Sequence, residues 1–131
     1  MGYYTTVTGE FQIEPPLTWA EFRDSPFNST SIDAWDGLKE VRLRVVEDRV
    51  DTDEGSLIRK TAAALTPETD EGRKYHHLIE HVQQVIDAFP GHAFTGRLDC
   101  EGEATGDLWR VVIREGRAVK VTPRIVWPDE G

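Results

Sequence analysis

The residues with most chemical potential in this chain are three histidines and a glutamate in one short stretch. His77-Leu78-Ile79-Glu80-His81 reads H-x-x-E-H, with His76 just before it. On a helix this sets two imidazoles one turn apart with a carboxylate between them, the arrangement some zinc hydrolases use. Such an enzyme also needs a third protein ligand and a substrate cleft. Only 50 residues follow His81, and they read as strands. The apolar spacing around the string sets His77 opposite the apolar stripe and His81 at its flank, so both are expected in water. A small metal-dependent hydrolase using His77 and His81 is therefore the third of three readings, with no cofactor expected.

The carboxylates are less suggestive. Asp51-Thr52-Asp53-Glu54-Gly55 opens like a calcium loop, but glycine arrives one position early and Ala62 holds the place of the closing glutamate. Asp99, Glu101, Glu103 and Asp107 could pair for acid-base work. Gly102 and Gly106 mark that cluster as a hairpin loop, where burial, and with it a raised pKa, is unusual. The single cysteine, Cys100, can close no intrachain disulfide; it shares strand parity with Phe94 and Leu98 and reads as a small core residue.

The elements that must position these groups follow from periodicity. Tyr3, Val7, Phe11 and Ile13 fall on one parity, with Thr5 and Gly9 between, and predict a half-buried strand ending at Pro15-Pro16. Thr18 offers a cap for a short helical turn through Trp19 and Phe22, and Ser25 to Gly37 reads as loop. Val41, Leu43 and Val45 alternate with Glu40, Arg42 and Arg44, and a polar turn at Asp51 to Gly55 leads into Ser56 to Ala64. That second arm reads as strand by hairpin logic and as helix by its run of Lys60, Ala62, Ala63, Ala64 and Leu65.

Thr66-Pro67-Glu68 is a helix start, and Tyr75, Leu78, Ile79, Val82, Val85, Ile86 and Phe89 make one apolar stripe before Pro90-Gly91. Three further alternating stretches follow: Phe94 to Cys100, Trp109 to Ile113, and Val119 to Trp127. Glu115-Gly116 forms a tight turn between the last two. The expectation is a single α+β domain over residues 1–131: one mostly antiparallel sheet of five to six strands with one long helix, about 67–89, on one face. The order is β-(short α)-β-β-α-β-β-β.

If the apolar parity of the sheet meets the helix, the other parity carries Arg42, Arg44, Arg97, Arg110, Arg114, Lys120 and Arg124 against Glu40, Asp99 and Glu101. That is a local excess of +4 on a chain of net charge −9. Arginine's planar fork suits carboxylate and phosphate. Residues 1–37 hold −5 of the total and either fold back over this face or stand apart, and cross-strand ion pairing is the plain alternative. Nucleic acid is disfavoured, because the overall charge is acidic and the open parity offers only Tyr4 for base stacking. Trp35, in polar company, is the aromatic best suited to surface contact.

At Met1-Gly2-Tyr3, Asp24-Ser25-Pro26-Phe27, Gly106-Asp107-Leu108-Trp109-Arg110 and Ile125-Val126-Trp127-Pro128, the chain resembles a family of short actinobacterial proteins of unknown function. It also bears some similarity to small phage-encoded proteins. The resemblance implies a stand-alone bacterial protein and no known activity.

With no run of about 18 apolar residues and no secretory opening, the chain is expected in the cytoplasm, away from membranes. The leading reading is a non-enzymatic binding or adaptor module. Arg42, Arg44, Arg110, Arg114 and Arg124, with Trp35, would contact a protein with an acidic surface, and a homodimer is compatible with this. The second reading is an acidic inhibitor or polyanion mimic acting through residues 10–36.

Overall fold

A computed structural model of the chain describes residues 4–28, 40–68, 72 and 74–128. Trp35, Asp33 and Asp36 lie outside the described residues, as does Tyr3. The elements are β1 (Thr5–Thr18), α1 (Trp19–Phe22), β2 (Val41–Thr52), β3 (Gly55–Pro67), α2 (Leu78–Ala88), β4 (Ala93–Gly102), β5 (Leu108–Arg114) and β6 (Arg117–Val121). The six strands make one antiparallel sheet in the order β2-β3-β1-β4-β5-β6.

The first strand in sequence is thus central, bonded to β3 on one side and β4 on the other. Its inward parity carries Val7, Phe11, Ile13 and Leu17, all fully buried. Pro15 and Pro16 do not end it, as their lack of a donor had suggested; the strand runs through them to Thr18. They occupy the irregularity in the β1–β3 register between Gln12 and Leu17, where ladder bonds are interrupted anyway.

The largest departure from expectation is the helix. Thr66-Pro67 closes β3, paired as far as Val41↔Pro67, and the helix begins only at Leu78. A good capping sequence was overridden by hairpin pairing, and β3 took the strand alternative for the same reason. α2 is still amphipathic: Leu78, Val82 and Val85 are buried against Phe11, Leu43, Leu65, Leu98 and Val111. It lies against both edge strands, β2 and β6, so the sheet curls around it.

Two glycines permit that curl. Gly9 and Gly96 have φ of +101° and +122°. A Cβ on Gly9 would stand 2.5 Å from the Arg97 carbonyl oxygen, and one on Gly96 would stand 2.5 Å from that of Glu10. No side chain fits either place, so the β1–β4 pair can twist where a flat ladder could not.

The last stretch also departs from expectation. β6 stops at Val121, and Ile125, Val126 and Trp127 are not in a strand. The β5–β6 register pairs Arg114↔Arg117, Val112↔Val119 and Arg110↔Val121. Residues directly opposite share a face. Val119 and Val121 therefore lie with the arginines on the face away from α2, while Lys120 sits on the helix side, 4.9 Å from the Trp109 ring centroid. No helix of the described residues is long and apolar enough to cross a membrane.

Candidate functional site

The histidine string does not build a metal centre. His81, expected in water, is 7% exposed. Its Nδ1 accepts a hydrogen bond from the Glu40 backbone N–H at 3.0 Å. Glu40, expected on the open face, is likewise buried: its carboxylate accepts the backbone N–H groups of His76 and His77 at 2.9 Å and so caps the start of α2 from a distance in sequence. His77 and His81 have ring centroids 5.9 Å apart, but His77 is exposed and leans toward Glu80. Among the described residues no three His, Cys, Asp or Glu side chains converge to hold a metal ion.

Cys100 is buried, as its parity indicated. Burial pushes its thiol up to about 12, and the Asp99 carboxylate adds to the shift. A thiol held in that state is a poor nucleophile.

Across the outer face, away from α2, opposite charges pair from β2 past β3 to β1 and again between β4 and β5. Arg44 on β2 grips Glu10 on β1 through two bonds of 2.7 and 3.1 Å. Glu10 also accepts from Gln12, and the Arg44 bond is the main cause that holds its carboxyl below the usual range. Glu10 stands opposite Arg97 on β4, whose neighbour Asp99 is 3.5 Å from the Arg97 guanidinium and takes a 2.7 Å bond from Arg110 on β5. Arg44 and Arg110, two of the expected binding residues, are therefore ends of a cross-strand ladder.

Beyond the ladder the pattern stops. Arg114 and Arg117 stand directly opposite one another beside the Glu115-Gly116 turn, with no ion pair to any described residue. Like charges in that relation are unfavourable unless an anion joins them. Next to them is a cleft of about 570 Å³, lined among others by Leu108, Arg110, Val112, Arg114, Val121 and Pro123. Its lining mixes apolar side chains with Arg110, Arg114 and the Asp99 that Arg110 bonds. Leu108 is 49% exposed. The structure brings Arg110 and Arg114 together here; Arg42 lies at the far end of the face on β2, and Arg124 sits on the exposed segment after β6.

The model of a family of unknown function, DUF6205, matches residues 1–131. The chain belongs to that family. The match agrees with the expected membership of a family of unknown function and assigns no activity. No curated protein and no solved structure matches the chain.

Arg117 did not figure among the sequence candidates. Its signal was present: a two-residue turn at Glu115-Gly116 joins Arg114 to Arg117 across the hairpin, which also fixes the parity of Val119 and Val121. Glu115 and Gly116 both have positive φ, 53° and 76°, as a mirror-image hairpin turn requires.

Proposed function

We propose that this protein is a non-enzymatic binding module whose outer-face cleft receives an acidic protein segment that also bears apolar side chains. The observation that carries this reading is the Arg114–Arg117 pair. Two arginines directly opposite one another with no ion pair to any described residue, beside Val112 and Val121, form a surface that a carboxylate-bearing, partly apolar chain would complete. The reading narrows the expected arginine face to Arg114, with Arg117 added, because Arg44 and Arg110 already have carboxylates in Glu10 and Asp99. The acidic segment fits an inhibitor role less well, because Glu10 and Glu21 are engaged within the protein, with Arg44 and with His92.

The test is fluorescence anisotropy with a labelled peptide of alternating glutamate and leucine. Binding is expected in dilute buffer, weakening as salt screens it. The double variant Arg114→Glu, Arg117→Glu is expected to lose it, while Arg23→Glu, far from the cleft, leaves it intact. Equal binding by the cleft variant and the native chain defeats the proposal.

A further inference from the structure

Immediately after β6 the chain presents three large apolar side chains to solvent: Ile125 is 84% exposed, Val126 68% and Trp127 72%. Contiguous apolar exposure of this kind marks an interaction surface. Thr122 and Pro123, at the root of this segment, line the cleft, whereas Ile125, Val126 and Trp127 are not among its lining residues. In sequence Trp127 is followed by Pro128, Asp129 and Glu130. The tail is thus an apolar run followed in sequence by two acids, the complement of a cleft lined by Leu108, Val112 and Val121 with Arg114 on its wall and Arg117 opposite Arg114.

We infer that the cleft is filled by the Ile125–Trp127 segment of a second copy of this chain, the two copies exchanging tails about a two-fold axis. This rests on the reading of the cleft given above and adds its occupant. The tail and the cleft sit side by side on one surface, so a two-fold axis can place each tail in the other's cleft and close the assembly at two copies with neither tail left over. Two exchanged tails with the floors beneath them bury on the order of 1,000–1,500 Å², the lower part of the range for specific interfaces.

The alternative of a strand added to the β6 edge is less favoured. Gln83 of α2 already accepts the Ala118 N–H at 2.7 Å and donates to the Gly116 carbonyl at 3.2 Å, which blunts that edge.

Sedimentation of the full chain tests the exchange. At about 100 μM, well above the micromolar Kd an interface of this size can supply, the native protein is expected to run as a dimer. Trp127→Asp, which removes the tail anchor, and Leu108→Asp with Arg114→Glu, which spoil the cleft, should each run as monomers. Their melting temperatures should be unchanged, since both apolar positions are exposed. A monomeric native protein or a dimer indifferent to Trp127→Asp overturns the inference. If the native chain is monomeric while its cleft still binds the acidic peptide, only the second copy is lost; if peptide binding also fails, the cleft reading falls with it.

Discussion

Glu40 and His81 hold each other at the start of α2: the Glu40 backbone N–H donates to His81 Nδ1 at 3.0 Å while the Glu40 carboxylate accepts the two N–H groups that open the helix. The Glu40 carbonyl completes the set by accepting from Glu68 N–H at 2.9 Å. An edge strand, the segment after β3 and the helix thus meet at one buried residue.

Glu40→Ala removes the cap and leaves two part-buried backbone donors without their carboxylate acceptor, and should cost about 1–3 kcal/mol in urea unfolding. Glu40→Gln keeps one acceptor oxygen and should cost less. His81→Phe, which retains volume but strands the Glu40 N–H, should cost about 1–3 kcal/mol. Losses below about 0.5 kcal/mol for all three, the ordinary effect of surface changes, would show that the clasp is incidental.

His92 bridges the Pro15 carbonyl (Nδ1, 2.5 Å) and the Glu21 carboxylate (Nε2, 2.7 Å). Two acceptors ask for a proton on each nitrogen. Burial pulls the His92 pKa down, but the bonds to Glu21 and Pro15 outweigh it and hold the imidazolium above its ordinary value of 6.5. Glu21 is held below its ordinary 4.5, chiefly by the Thr18 backbone N–H and then by His92. The His92 contribution is complete below 6.5 and lost as pH rises through the raised value; that of Glu21 is present above 4.5 and lost as pH falls through the lowered one. The melting-temperature gap between native protein and His92→Gln should be widest near pH of about 5.5 and shrink by about pH 9. A gap that grows with alkalinity would contradict the pairing.

Cys100 should ignore thiol reagents until the protein unfolds. Burial keeps the thiol protonated and covered, so labelling at mildly alkaline pH should track urea unfolding. Full modification of the native chain within minutes would mean that β4 opens locally.

Gly96→Ala should cost about 2 kcal/mol or more, since a methyl group meets the Glu10 carbonyl at 2.5 Å in a left-handed backbone region. Gly55→Ala is the control: its φ is also positive, but nothing lies within 4 Å, so only backbone strain is added. Equal losses at the two positions would show that the close β1–β4 approach contributes nothing.

Strand periodicity was readable wherever side chains alternate strictly, as in Val7–Ile13 and Phe94–Cys100, because one buried face leaves no freedom of register. It failed at Thr66-Pro67, where a local helix signal lost to β2 pairing, and at Ile125–Trp127, where an alternating apolar run has no strand to pair with. The cleft was half legible. Arg110 and Arg114 stood out by type, whereas Arg117 needed the turn register. The burial of Glu40 and His81 could not be read at all, since their contact joins positions 41 residues apart.

The placement of β1 at the middle of the sheet has a consequence for biosynthesis. Residues 5–18 leave the ribosome before either of their sheet partners, one of which is β3 and the other β4, residues 93–102. β1 must therefore wait for β4 before both of its edges are paired, and nascent fragments that stop before position 93 have no second partner for it.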